Sequence, residues 1–180
     1  MLIETKKLVM RSVEPGDAGF LADLFNSADP LESDAPYDLV YPLSEEMEED
    51  WISRIGLRGD EAHMIVEARK GHRPIGIISV SEIDGRNASA RLRIRLEEGS
   101  WDKGYGAEAV GGTARFMFDR LNMRRVWLRV DEGNARAIRC FESCGFVLEG
   151  VLREDHIRDG GWKNSLVMSL LSKDLKEGTR

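Results

Sequence analysis

The stretch Trp101-Asp102-Lys103-Gly104-Tyr105-Gly106-Ala107-Glu108-Ala109 stands between an alternating apolar and polar run, residues 90–96, and a long helical pattern, residues 104–121. Two glycines one residue apart let successive backbone N–H groups turn toward a common point. The helix that follows adds its own unpaired N–H groups and the positive end of its dipole. A nest of that kind binds phosphate or pyrophosphate. The spacing is not the dinucleotide fingerprint, because no third glycine stands three residues on, and it lacks the Lys-Ser/Thr ending of a P-loop. Taken alone, the glycines read equally well as an ordinary turn before a helix. About 30 residues later comes Asn134-Ala135-Arg136-Ala137-Ile138-Arg139-Cys140-Phe141-Glu142-Ser143-Cys144-Gly145-Phe146, a helix opened by a capping Asn and stopped by Gly.

Outward from these two stretches the periodicities alternate. Residues 6–13 read as a strand, and Glu14-Pro15-Gly16-Asp17 then opens a helix with Phe20, Leu21, Leu24 and Phe25 at helical spacing. Residues 29–42 hold three prolines and little periodicity, and form a loop. Ser44 reads as an N-cap, with Met47, Trp51, Ile52 and Ile55 as the apolar stripe and four glutamates near the positive end of the dipole. Runs at 63–68, 75–83 and 90–96, separated by tight turns, predict three antiparallel strands. A strand at 125–130 and strands at 146–153 and 164–171, joined through Asp159-Gly160-Gly161, complete the pattern. There is no repeat, low-complexity tract or interdomain linker. The expectation is an α/β (α+β) fold, one domain over residues 1–180, with a mixed sheet covered by helices on both faces.

Composition narrows the function. The chain has 180 residues, 26 Lys+Arg against 32 Asp+Glu and a net charge of −6, which argues against a general nucleic-acid partner, because such affinity comes from excess basic side chains on phosphates. With no run of about 18 apolar residues and with Glu4, Lys6 and Lys7 where a signal peptide needs apolar residues, neither a membrane partner nor export is expected. The reading is cytoplasmic. Cys140 and Cys144, four apart on a helix, suit buried free thiols rather than a disulfide, and His63, His72 and His156 are scattered, so no metal site is read. The charge is also segregated. Residues 12–53 carry twelve acidic side chains and no Lys or Arg, whereas residues 91–129 carry nine basic and five acidic ones. Solvated helix faces explain such blocks as readily as ligand surfaces do.

Both motifs, in this order and separation, resemble the GNAT superfamily of N-acetyltransferases, and the succession of elements is similar over nearly the whole chain, with a closing hairpin like those of ribosomal-protein and polyamine acetyltransferases. The resemblance implies a mostly antiparallel sheet of about seven strands flanked by about four helices, with a splayed strand pair holding acetyl-CoA. It implies that Lys103, Gly104, Gly106 and Ala107 line the diphosphate, with Trp101 and Tyr105 in the same turn. The backbone of Ile94, Arg95 and Leu96 would pair with the pantetheine arm, and Asn134 would contact it. The family turn reads Gln/Arg-x-x-Gly-x-Gly/Ala. Trp101 stands where Gln or Arg is usual, a small departure since binding there is mostly through backbone N–H groups.

Acetyl transfer to an amine needs a proton acceptor for the ammonium, a donor for the carbonyl oxygen as it becomes an oxyanion, and relief for the departing thiolate. By resemblance a backbone N–H near Leu96 serves the oxyanion, and a Tyr in the second motif serves the thiolate. Here that Tyr is Phe141, counted among the cofactor contacts but with no proton to give, and Ala137 replaces the Ser of some relatives. Glu82 is the expected base, since similar positions in polyamine-type relatives hold Glu; a solvent-facing strand residue is the alternative. Arg91 stands where such relatives often have Glu on the next strand. Tyr37 and Tyr41, in the loop that caps the acceptor cleft in relatives, are candidate substrate contacts together with Glu82 and Arg91. Alternation also places Arg91, Arg93 and Arg95 on one strand face, which requires carboxylate partners, an anionic substrate group, or water.

The resulting expectation is an acetyl-CoA-dependent N-acetyltransferase acting on a primary amine by direct attack, the acceptor being a protein N-terminal amine ahead of a polyamine or aminoglycoside-type amine. An acyl-CoA-binding module with weak or lost catalysis is the alternative from another class, motivated by Phe141, Ala137 and Arg91. Members of the superfamily are often dimers, so a homodimer is the corresponding expectation.

Overall fold

The computed structural model describes residues 2–27, 42–55, 59–158 and 160–175. Among these, eight strands form one sheet: β1 Leu2–Glu4, β2 Leu8–Ser12, β3 Ala62–Ala68, β4 Arg73–Asp84, β5 Ser89–Leu96, β6 Arg125–Asp131, β7 Val147–Arg158 and β8 Gly161–Leu171. The order across the sheet is β1-β2-β3-β4-β5-β6-β8-β7, and every neighbouring pair is antiparallel except β5 and β6. The strand beyond the expected seven is β1. Three residues followed by Lys6-Lys7 carry no legible period, but Thr5 closes a turn there, its hydroxyl accepting from Leu8 N–H at 3.1 Å.

Helices cover both faces. On one, α1 (Ala18–Asn26) and α2 (Glu45–Arg54) pack Leu21, Leu24, Trp51 and Ile52 against Ile65 and Ile77. Ser44 caps α2, its Oγ accepting from Met47 N–H at 3.2 Å. The stripe of α2 is rotated from expectation: Met47 is exposed and Glu48 is buried instead, in register with Trp51, Ile52 and Ile55, and desolvation pushes its carboxyl above the ordinary range. On the other face, α3 (Tyr105–Leu121) and α4 (Ala135–Ser143) cover the larger core of Met10, Val66, Ile78, Leu92, Val126, Leu128 and Met168. Each such fully buried aliphatic side chain stabilises by about 1.5–3 kcal/mol. Gly145, at φ 93°, ends α4 in the left-handed conformation that glycine adopts without strain. None of the described helices is long and apolar enough to cross a membrane.

Two features position the site. First, β5 and β6 pair only through Ser89↔Arg125, Ala90↔Val126 and Arg91↔Trp127. Beyond that, β5 runs on to Leu96 paired with β4 alone, and β6 runs to Asp131 paired with β8 alone. Trp127 fills the apex, its ring centroid 5.3 Å from the Arg91 guanidinium and 5.9 Å from that of Arg129. Strands that separate leave ladder N–H and C=O groups inside the wedge, and these need a partner. Second, the register of β7 against β8 shifts between Leu152 and His156, a bulge that re-aims the side chains at its end.

Candidate active site

A cavity of about 380 Å³ occupies the wedge, lined on the β5 side by Leu92, Arg93, Ile94 and Leu96, on the β6 side by Arg129, Val130 and Asp131, and roofed by α4. At its wide end is the glycine turn. Gly104 has φ +78° and precedes α3 with no side chain capping it, and the first intrahelical bond is Glu108 N–H to Gly104 O at 3.1 Å. The N–H groups of residues 105–107 therefore precede the helical ladder and lie at its positive end. Glu108, the acidic residue of that first turn, is tied elsewhere: its Oε1 accepts from the Thr5 hydroxyl at 2.6 Å and from Lys7 N–H.

The Trp101 indole N–H donates to Leu96 O at 3.0 Å, which braces the turn against β5, and the Arg136 guanidinium of α4 lies 3.4 Å from its ring centroid. Asn134 caps α4, its Oδ1 accepting from Ala137 N–H at 3.0 Å, and lines the cavity as well. Phe141 lies buried against Phe146, with ring centroids 6.0 Å apart, and contributes a proton-free wall. Cys140 also lines the cavity, beside Gly106. The hydrogen bond to Cys144, then burial, pushes its thiol up, so it stays protonated.

Of the expected cofactor contacts, Ile94, Leu96, Trp101, Gly104, Gly106, Ala107, Asn134 and Phe141 are brought together around this cavity, whereas Arg95, Lys103 and Tyr105 are not among its lining. Arg95 turns to the α1 face, 5.1 Å from the Phe25 ring; Lys103 Nζ donates to Gly99 O; Tyr105 lies under Lys7. Leu96, the expected oxyanion donor, stands at the glycine end of the wedge rather than at its apex. Glu82, the expected base, sits in the β4 irregularity opposite β5 at φ 52°, accepts from Arg91 Nη1 at 3.3 Å, and is absent from the cavity lining, as is Arg91. Tyr37 and Tyr41 lie outside the described residues. The arginine row resolves by contact: Arg91 with Glu82 and Trp127, Arg95 with Phe25, and Arg93 in the cavity wall.

A family model described as an acetyltransferase (GNAT) domain matches residues 7–147. The chain belongs to the GNAT acetyltransferase family. A spermidine N(1)-acetyltransferase of Vibrio cholerae is 26% identical over 165 residues, spanning 92% of this chain and 93% of that protein. A crystal structure of the Vibrio cholerae spermidine N-acetyltransferase in complex with CoA and spermine matches with a TM-score of 0.81 at 26% identity, over 94% of this chain and 98% of that one. A ribosomal-protein-serine acetyltransferase-like structure from Vibrio cholerae matches with a TM-score of 0.78 at 21% identity, over 95% and 97% of the two chains, a likeness of fold.

This GNAT chain is thus an acetyl-CoA-dependent N-acetyltransferase, and its residues fit the cofactor on three counts. The uncapped N–H groups of residues 105–107 suit a diphosphate, Arg136 and Arg139 on α4 add positive charge at the cavity, and the unpaired inner edge of β5 suits an amide-bearing arm laid beside it as a strand. When bound, acetyl-CoA supplies a thioester carbonyl activated toward an amine. Sequence reading missed one group of residues in this GNAT site. On the β6 side of the cavity, where that strand ends, Asp131, Asp155, His156 and Ser165 converge from β6, β7 and β8. Each is unremarkable in its own strand, and only the β6-β8-β7 pairing brings them together.

Proposed function

We propose that the acceptor is a small polycationic amine of the polyamine class. The observation that carries this reading is the likeness over 92% of the chain to a spermidine acetyltransferase. It is supported by α2, which presents Glu45, Glu46, Glu49 and Asp50 with Arg54 its sole basic residue, on the sheet face opposite α3 and α4. Acidic side chains concentrate a polycation and steer its approach. The protein N-terminal acceptor expected from the sequence rests on a likeness of fold, so it takes second place.

The chemistry follows from the wedge. The amine approaches from the α1–α2 face and must be neutral to attack, and the β5 N–H groups that face the gap are oriented donors for the carbonyl oxygen as negative charge develops. Phe141 donates nothing to the departing sulfur, which leaves as a thiolate of an already fairly acidic thiol.

With acetyl-CoA in excess, thiol release should be at least roughly tenfold faster in kcat/KM for spermidine or spermine than for peptides with a free N-terminal serine. The opposite ranking, with acetylated peptide found by mass spectrometry, returns the protein N-terminal reading. Ligand-dependent stabilisation by CoA without turnover of any amine favours the binding-module alternative.

Self-association is a further part of the proposal. Val147, Leu148, Val151, Ile157 and Trp162 are large apolar side chains exposed on the β7–β8 hairpin, beside the sheet edge, a concentration suited to contact between copies. Light scattering should read a multimer that Val151→Asp with Trp162→Asp shifts toward monomer. A monomeric wild type removes this part.

A further inference from the structure

The cluster on the β6 side of the cavity combines hydrogen bonds to the His156 ring with an ion pair behind it. Asp131 Oδ2 lies 2.7 Å from His156 Nε2 and 2.6 Å from Arg158 Nη1, and Ser165 Oγ lies 3.3 Å from His156 Nδ1. Asp131 and Arg158 are almost fully buried, with side-chain exposures of 8% and 5%, while the His156 side chain keeps 25%. A carboxylate paired with a guanidinium can only accept, so the hydrogen on Nε2 points to Asp131 and Nδ1 is left as an acceptor. The Ser165 hydroxyl is the donor that reaches it. The bulge in β7 between Leu152 and His156 brings Asp155 and His156 to the cavity, opposite a β8 that supplies Ser165 in register with Asp131.

We propose that His156 is the proton acceptor of acetyl transfer, taking the amine proton through Ser165 Oγ, with Asp131 and Arg158 fixing the imidazole as a positioning pair. As the ammonium N–H bond breaks, its proton bonds to Ser165 Oγ, the hydroxyl proton moves to His156 Nδ1, and the imidazolium formed is balanced by Asp131. The freed lone pair forms the C–N bond at the thioester carbonyl, the C–S bond breaks with its electron pair leaving on the CoA thiolate, and the second amine proton passes to that thiolate. No added oxidant or metal enters the balance. The charged groups around the ring are Asp131 and Arg129 from β6, Asp155 and Arg158 from β7, Lys163 from β8 in register opposite it, and Arg136 and Arg139 of α4 in the cavity wall. Arg129 pairs with Asp155 at 3.5 Å, and Asp131, in direct contact with the ring, is the carboxylate that stabilises the imidazolium. The inference rests on N-acetyl transfer itself and on no particular acceptor.

The test uses the full chain with acetyl-CoA and the amine turned over fastest. His156→Gln should lower kcat about 100-fold near neutral pH, with KM for acetyl-CoA changed by less than about twofold. The wild-type kcat/KM should depend less steeply on pH than that of His156→Gln. That of the variant should keep rising with pH, the gap closing as unprotonated amine becomes abundant. Ser165→Ala should show the same kcat loss and the same profile. Unchanged profiles in both variants, or a loss confined to KM, would overturn the proposal. Nitrogen-15 NMR of the imidazole reads the tautomer with no amine present: a hydrogen on Nε2 is expected, and one on Nδ1 closes the path, whichever acceptor the enzyme uses.

Discussion

Gly106→Val should raise KM for acetyl-CoA about 100-fold, the scale on which a displacement of about 1 Å in a binding element acts, with kcat at saturation much less affected. Gly106 is the second residue of α3, and a Cβ placed there meets Cys140 Sγ at 3.2 Å and Leu96 Cδ1 at 3.8 Å. Alanine could be accommodated by a small shift of the thiol. Valine adds two γ-methyl groups with one strongly preferred rotamer in a helix, and they enter the junction of the glycine turn, β5 and α4. Any relief moves the N–H groups of residues 105–107 off their common point, or opens α4 away from the wedge. The helix itself does not suffer, because valine is no worse a helix former than glycine. Gly111→Ala is the control: it lies in the same helix, meets nothing within 4 Å, and should leave KM unchanged while adding up to about 1 kcal/mol of stability. Calorimetric titration of CoA alongside the kinetics separates binding from turnover. An unaltered KM in the valine variant would remove the glycine turn from the cofactor site.

How far the sequence carried depends on the range over which each feature is written. The turn at Gly104 and Gly106 and the Asn134 cap are local, and their chemistry lives in backbone groups that a few adjacent residues orient. They could be read one segment at a time, and the structure brings both to one cavity. Strand alternation likewise placed Arg91, Arg93 and Arg95 on one face, and in the structure Ala90 and Leu92 stand in the core on the other. The fate of those arginines was not legible, because it depends on neighbours such as Trp127 and Phe25, far away in sequence. Glu82 stands at an irregularity in β4, where it has a positive φ and accepts from Arg91. His156 was passed over for the same class of reason. Its partners are 25 residues before it and nine after it, and the bulge that aims it has no residue signature in a single sequence. Period-two patterns predict which face a side chain occupies until a bulge intervenes, and both surprises at the site stand at bulges.

Gly76→Ala should lower the melting temperature by roughly 6–12 °C, taking about 3 kcal/mol for a methyl with no room and about 2–4 °C per kcal/mol at this chain length. A Cβ on Gly76 would lie 2.2 Å from Arg95 O, 2.5 Å from Leu96 Cδ2 and 3.0 Å from Leu96 Cα. Two of those atoms are backbone, so no change of rotamer relieves the contact. The cause is the register shift of β4 against β3, where Val66 pairs with Gly76 but Glu67 with Pro74; the skipped residue twists β4 so that the Gly76 position faces along the sheet into β5. Gly85→Ala, with nothing within 4 Å, is the matched control and should shift the melting temperature by no more than about 2 °C. The Gly76 substitution also tests coupling between sheet and site, since the atoms that must yield belong to Arg95 and Leu96, and Leu96 lines the wedge and anchors Trp101. If β5 moves, KM for acetyl-CoA rises together with the loss of stability. If β4 moves instead, it shifts against β3 and against the packing on both of its faces, and stability falls without a change in KM. A melting temperature within about 2 °C of wild type would mean that the approach of β4 to β5 is looser than these distances, and that the inner edge of β5 is not held where the cofactor arm requires it.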